Sequence, residues 1–109
     1  MDFAVIIPVY NEAPTLAEVL EKVLAHPGAR IVVVDDGSTD DTLQVLSRFP
    51  LEAVLRHKQN EGYGKTLIDG FRYVMERDFP CCITMDADAQ HEPGFIPCFL
   101  GKVGKFDIV

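Results

Sequence analysis

The sequence predicts an α/β fold, a Rossmann-like three-layer α/β/α arrangement around a mostly parallel sheet. Short β-branched apolar runs alternate with stretches of helical period in the order β-α-β-α-β-α-β, and such an order implies parallel strands joined by right-handed crossovers. Polar clusters follow the first, second and fourth of these runs, on the edge where sheets of this kind bind ligands. No repeat, low-complexity segment or linker divides the 109 residues, so one domain is expected.

Phe3-Ala4-Val5-Ile6-Ile7 reads as a strand buried on both faces, ended by Pro8. After Pro14 and Thr15, the residues Leu16, Val19, Leu20, Val23 and Leu24 recur with helical spacing, and Pro27-Gly28 stops that helix. Ile31 to Val34 is a second buried strand. Ser38, Thr39 and Asp40 offer capping oxygens to a helix carrying Leu43, Leu46 and Phe49, which Pro50 closes. Glu52 to Arg56 is a shorter third strand, followed by a polar loop and a helix whose inward residues would be Leu67, Ile68, Phe71, Val74 and Met75. Cys81 to Met85 is the fourth strand. Beyond Asp86, a short helix near Gly94 to Val103 would lead to a strand at Phe106 to Val109, where the abrupt apolar stop suggests a larger domain cut short.

Composition narrows the function. Hydrophobic residues make up 48% and charged residues 25% of the chain, a globular balance that buries roughly two-thirds of the unfolded surface. Seventeen acidic residues against ten basic ones give a net charge of -7, which disfavours nonspecific binding to nucleic acid or to an anionic membrane. An anionic ligand would need a cation or backbone N–H groups. The apolar stretch Phe3 to Val9 is far below the ~20 residues of a membrane helix and has no charged leader, so a soluble chain without a secretory signal is expected. Cys81, Cys82 and Cys98 lack a Cys-x-x-Cys spacing and read as reduced, buried thiols of a cytosolic protein.

Three clusters carry the chemistry. Asp86 and Asp88 stand two apart at the end of strand four, so extended backbone sends both side chains to one face, where they can share a hard cation. Gln90 continues the alternation with a neutral oxygen. Mg²⁺ or Mn²⁺ held there would neutralise a diphosphate that bare carboxylates repel. Aspartates at strand ends also form turns and cap helices, and for Asp35 to Asp41 that reading is the stronger one. Asp35 and Asp36 themselves are harder to dismiss. Adjacent carboxylates at the end of a buried strand repel each other, so at least one should find a donor such as a base N–H or a ribose hydroxyl. Tyr10 either stacks on a base or covers the sheet edge.

Gly64-Lys65-Thr66 imitates a phosphate-binding loop, but Gln59 stands where that motif needs its first glycine. What survives is a loop entering a helix, with Lys65 either a phosphate contact or a solvated cation. A phosphoacceptor receiver using Asp35, Asp36 and Asp86 is excluded because too little chain follows Asp86 for its last two strands. His26, His57 and His91 show no ligand spacing. The first two read as surface residues, and only His91 lies near the acidic cluster.

Taken together, four motifs in order resemble a family 2 glycosyltransferase of the GT-A-type fold, with a nucleotide-diphospho-sugar transferase sheet, over the whole chain. They are Ile7-Pro8-Val9-Tyr10-Asn11-Glu12, Val33-Val34-Asp35-Asp36-Gly37-Ser38-Thr39-Asp40, Asn60-Glu61-Gly62-Tyr63-Gly64-Lys65 and Met85-Asp86-Ala87-Asp88-Ala89-Gln90-His91. The last is similar to the metal motif of dolichyl-phosphate mannose synthases and related polyprenyl-phosphate sugar transferases. The resemblance implies a donor site at Pro8, Tyr10, Asn11, Glu12, Asp35, Asp36, Gly37, Gly64, Lys65 and Asp86. It also implies that Asp86, Asp88 and Gln90 hold Mg²⁺ or Mn²⁺ on the diphosphate of a nucleotide-diphosphate sugar donor.

A lipid-phosphate acceptor is implied for the full enzyme, with direct displacement and inversion at the sugar carbon. The acceptor-binding half is absent from residues 1–109, so little or no transferase activity is expected of the chain alone. The expected location is cytoplasmic, peripheral to the cytoplasmic membrane face in the full-length protein, and the open sheet edge at Val109 invites self-association. From a different class, a non-catalytic nucleotide-sugar or metal-binding module acting with a partner chain is the alternative.

Overall fold

The computed structural model describes residues 2–85, 96–100 and 106–108. Its elements run β1 (Phe3–Val9), α1 (Ala13–Leu24), β2 (Ala29–Asp35), α2 (Thr42–Leu46), β3 (Ala53–Arg56), α3 (Tyr63–Glu76), β4 (Cys81–Thr84), β5 (Ile96–Leu100) and β6 (Phe106–Ile108). They form a sheet of order β3-β2-β1-β4-β5-β6. The β1–β2, β2–β3 and β1–β4 pairs are parallel, while β4–β5 and β5–β6 are antiparallel.

Side-chain alternation along β1 and β2 sorts the core into layers. Val5, Ile7, Val9, Ile31 and Val33 pack with Leu16, Val19, Leu20 and Val23 of α1 and Val45 and Leu46 of α2. On the opposite face, Ala4, Ile6, Val32 and Val34 meet Val74 of α3 and Cys82 of β4. Strands buried on both faces thus read as continuous apolar runs, as parallel strands between helices do.

Four expectations need correction. β1 does not end at Pro8 but runs through it to Val9. Met85 N donates to Ile6 O, so even-numbered residues of β1 face β4. The N–H that Pro8 lacks therefore points past the last β1–β4 pair, Ile6↔Thr84, and its absence breaks no rung.

Of the expected inward residues of α3, Val74 lies in the core and Phe71 packs against it, but Ile68 is 53% exposed, and Thr66 and Gly70 complete the buried face. A Cβ on Gly70 would lie 2.6 Å from Ile6 Cγ2. The helix therefore presents its small residue to the sheet and turns the apolar Ile68 outward.

α2 is a single short turn ending at Leu46, although Leu43 and Phe49 still pack on the core. Finally, residues 96–100 of the expected helix are strand β5. Pro97 cannot sit inside a helix without losing a hydrogen bond, and Ile96 to Leu100 is one apolar run. The expected last strand is present at Phe106–Ile108. Cys82 is buried and Cys81 half-buried, both as thiols.

Candidate functional site

Parallel register brings three loops to one edge. Val9 at the end of β1 is level with Asp35 at the end of β2, and Asp35 is level with Arg56 at the end of β3. Residues 10–12, 36–41 and 57–62 therefore leave the sheet side by side, and Met85 brings β4 to the same edge through its bond to Ile6 O. Between β1 and β4 the strand order reverses, because β2 and β3 lie on one side of β1 and β4 on the other. Open α/β sheets have their binding crevice at such a reversal.

Asn11 stitches the first loop to the second. Its N–H donates to Ser38 Oγ at 2.9 Å, and its Oδ1 accepts from the N–H groups of Thr39 (2.8 Å) and Asp40 (3.3 Å). The backbone at Asn11 has φ 51°, a left-handed conformation that asparagine tolerates better than most residues. Asp40 closes the stitch from the other side: Oδ2 accepts from Ala13 N at 3.3 Å, and Oδ1 accepts from Thr42 N at 3.0 Å and from the Thr42 hydroxyl. That hydroxyl bond does most to hold the Asp40 carboxyl below the usual carboxylate range. Pro8 is buried and Glu12 half-buried, and Tyr10 is 45% exposed at the rim.

Asp35 and Asp36 are both buried, yet they differ. Asp35 Oδ1 accepts from Ser38 N at 3.1 Å, whereas Oδ2 has no hydrogen-bond partner. Arg56 Nε, on a half-exposed side chain, stands 3.8 Å from that oxygen. Asp36 is satisfied by the third loop instead. Its Oδ1 takes Glu61 N (2.7 Å) and His57 Nδ1 (2.8 Å), and its Oδ2 takes Gly62 N (3.0 Å). Burial raises the Asp36 pKa, but these donors outweigh it and the carboxyl is lowered.

Gly37 makes this juncture possible. It has φ +81°, and a Cβ there would stand 2.6 Å from Gln59 C and 2.8 Å from Asn60 N. Gly64 meets no such limit, since a Cβ on it finds nothing within 4 Å.

His57, expected at the surface, is 8% exposed and sits inside the cluster, while His26 is exposed as expected. Its second ring nitrogen, Nε2, lies 2.6 Å from Asp69 Oδ2, and Glu61 Oε2 is 3.6 Å from Nδ1. The hydrogen bond to Asp36 is the largest influence raising the His57 pKa, opposed by burial and reinforced by Asp69. Asp69 is lowered, with burial opposing and His57 and Lys65 prevailing. Lys65 Nζ is 3.1 Å from Asp69 Oδ1 with its side chain 41% exposed, so its charge is already met by a carboxylate on its own helix. His57 and Asp69 carry no motif. The signal that would find His57 is topological: once β3 is placed in register beside β2, residue 57 becomes the neighbour of residue 36, the carboxylate in need of a donor.

Asp86, Asp88 and Gln90 lie outside the described residues. Among the described residues, no group of three His, Cys, Asp or Glu side chains could hold a metal ion, and no helix is long and apolar enough to cross a membrane. The oxygens of Asp36 are occupied by protein donors, so the described rim offers a wall for a ligand rather than a cation cage.

The chain as a whole resembles known proteins. The chain is 36% identical over 109 residues to an undecaprenyl-phosphate mannosyltransferase of Micrococcus luteus, an alignment covering 95% of this chain and 45% of the relative. It is 36% identical over 104 residues to a dolichol-phosphate mannosyltransferase of Pyrococcus furiosus, covering 89% and 28%. Among solved structures, S. aureus TarS 1-349 in complex with UDP superposes with a TM-score of 0.68 at 31% identity, over 81% of this chain and 28% of that one. The chain thus spans less than half the length of these relatives, and its sheet is that of the GT-A glycosyltransferases. The family model "Glycosyl transferase family 2" matches residues 4–109, nearly the whole length, and the chain belongs to that family.

Proposed function

We propose that residues 1–109 form the donor site of an enzyme that moves a sugar from a nucleotide-diphosphate sugar to a polyprenyl or dolichyl phosphate, with inversion. The observation that carries this reading is the meeting of the three loops that follow β1, β2 and β3, on one side of the strand-order reversal between β1 and β4, around a buried carboxylate, Asp35, whose Oδ2 lacks a hydrogen bond. An unsatisfied buried acceptor costs roughly 1–3 kcal/mol, and a base N–H or ribose hydroxyl would supply the missing donor. Half-exposed Arg56 stands beside that oxygen at 3.8 Å, too far to hydrogen-bond it. The activities for which the Micrococcus and Pyrococcus relatives are named support a lipid-phosphate acceptor, and the UDP complex of TarS supports a nucleoside diphosphate at this edge.

In the proposed reaction an anionic phosphate oxygen of the acceptor attacks the anomeric carbon, the bond from that carbon to the donor diphosphate breaks, and the nucleoside diphosphate departs with the electron pair. The attacking oxygen carries no proton to be removed, so the step asks no strong base of this chain. Asp86, Asp88 and Gln90 are the proposed holders of Mg²⁺ or Mn²⁺, which when bound disperses the charge of the leaving diphosphate. The acceptor site is proposed to lie outside these residues, action at a membrane surface follows from the acceptor's chemistry, and the cytoplasmic face is proposed.

Calorimetric titration with UDP and with GDP, each with and without MnCl₂, tests the reading. Saturable binding to one nucleotide, tightened by Mn²⁺, is expected, and Asp88→Asn should remove the Mn²⁺-dependent gain. Binding of neither nucleotide, or an Asp88→Asn chain that keeps the full Mn²⁺ effect, overturns it. Sugar transfer to polyprenyl phosphate by the 109 residues alone would overturn the placement of the acceptor site elsewhere.

A further inference from the structure

His57 is a buried side chain without a role in the proposed chemistry. Both of its ring nitrogens face carboxylate oxygens, Nδ1 that of Asp36 at 2.8 Å and Nε2 that of Asp69 at 2.6 Å. Ionised carboxylates only accept, so both nitrogens must donate, and only the imidazolium carries two N–H groups. The ring therefore joins the end of β2 to α3 as a cation between two anions. The same Asp36 carboxylate receives the N–H groups of Glu61 and Gly62, which lead directly into α3 at Tyr63.

We propose that His57 is a positioning residue. As an imidazolium bridging Asp36 and Asp69, it locks the 57–62 loop and the start of α3 against the end of β2, fixing one wall of the donor cleft. The consequence for the cleft rests on the donor-site reading above; the lock itself does not.

The charges around the ring come from every neighbouring element. Asp36 lies at the end of β2, Glu61 in the loop with Oε2 3.6 Å from Nδ1, and Asp69 on α3 with Lys65 on its far oxygen. Arg56, the residue before His57, is turned to Asp35. Three carboxylates against one ammonium make a field that favours the charged ring, and His57 is accordingly raised above its ordinary value of 6.5. Deprotonation leaves one N–H for two carboxylates, and one end of the bridge must open.

Two measurements on the 109-residue chain test this. In ring-nitrogen NMR, His57 should be doubly protonated at pH 7, and the backbone amides of Glu61 and Gly62 should shift with the same midpoint as the ring. Asp69→Asn, which removes one anion and keeps the side-chain shape, should move that midpoint to lower pH. A neutral ring at pH 7, or loop amides indifferent to its titration, overturns the lock.

In the second measurement, UDP or GDP affinity with MnCl₂ should fall as pH rises through that midpoint. His57→Gln should bind about tenfold more weakly at pH 6.5, the size of one lost charge-assisted hydrogen bond, with a flat pH profile. Asp69→Asn should shift the profile rather than flatten it. An unaltered profile in both variants overturns the link to the cleft. If the wild-type chain binds neither nucleotide at any pH, the donor-site reading fails and the link to the cleft fails with it, while the NMR result still decides the lock.

Discussion

The two halves of the rim are fastened by different chemistry. Between β1 and β2 the fastening at Asn11 uses an amide, a serine hydroxyl and backbone N–H groups, and only Asp40 carries charge. Between β2 and α3 it is ionic, with His57 held by Asp36 and Asp69 and Lys65 outside them. Neutral hydrogen bonds keep their strength across the pH range in which proteins stay folded, whereas a histidine bridge holds only while the ring is charged. One side of the cleft is therefore a fixed hinge plate and the other a clasp that can be released. The two meet at adjacent residues, with Asp35 facing the first fastening through Ser38 and Asp36 the second through His57.

The largest expected effect comes from the residue that both halves share. Gly37→Ala places a Cβ within 2.6–2.9 Å of the backbone of Gln59 and Asn60, in a conformation with φ +81°. Neither obstacle is the end of a flexible side chain, so the β2 rim and the 57–62 loop must separate. The left-handed backbone alone costs about 1–2 kcal/mol in a residue with a Cβ, and the displaced loop adds the bonds to Asp36. Urea denaturation should show a loss of at least about 2 kcal/mol. A loss below about 1 kcal/mol would mean that the loop yields freely and that the halves are not joined at this point.

Much of this frame was legible in the sequence, and the reasons for the rest are physical. The buried strands announced themselves as unbroken apolar runs and the helix from Leu16 to Leu24 by its period, because each has a face or faces set by burial alone. Asp35 and Asp36 stood out because two adjacent carboxylates at the end of a buried strand need donors. Their donors could not be read. His57 and Asp69 lie 21 and 33 residues from Asp36 in the chain, and no spacing rule joins a residue after a strand to one in the middle of the next helix.

Val74 and Phe71 were placed correctly on the inward face of α3, but Ile68 was misjudged for a related reason. Hydropathy favours Ile68, but the close approach at Gly70 and the reach of Asp69 to His57 fix the helix rotation. Pro97 shows the opposite failure, since a breaker was in view within the stretch assigned to a helix. The described residues contain the rim but not Asp86, Asp88 and Gln90, so the proposed metal set still rests on its motif.

A second effect, intermediate in size, separates the two fastenings by pH. The raised pKa of His57 means that its stabilisation is complete below the ordinary value of 6.5 and is lost as pH rises through the higher folded value. The lowered carboxyls act in the opposite sense: Asp36, Asp40 and Asp69 stabilise above the ordinary 3.8 and lose that contribution as pH falls through their folded values. Together these groups contribute fully between those limits. Stability measured by urea denaturation should thus be higher at pH 5.5 than at pH 9. Asn11→Ala, which removes a neutral acceptor and places alanine at φ 51°, should cost about 1–2 kcal/mol at both pH values. An Asn11→Ala cost that changed with pH would show that the two fastenings are coupled, and the contrast between them would be lost.

The smallest expected effect tests where the ionic clasp ends. Lys65 is joined to Asp69 at 3.1 Å, four residues along the same helix, but its side chain is 41% exposed. Exposed pairs of this geometry contribute about 0.3–0.5 kcal/mol, and only at about 1 M salt does the screening length fall to ~3 Å, the scale of this contact. Lys65→Met should therefore alter the urea midpoint by no more than that amount, with the difference shrinking in high salt, because Asp69 keeps its stronger partner in His57. A loss several times larger would make Lys65 part of the clasp. If stability is spared while UDP or GDP affinity drops, the lysine divides its time between Asp69 and the ligand's phosphates. Its half-exposed position at the start of α3 permits this, as buried His57 does not.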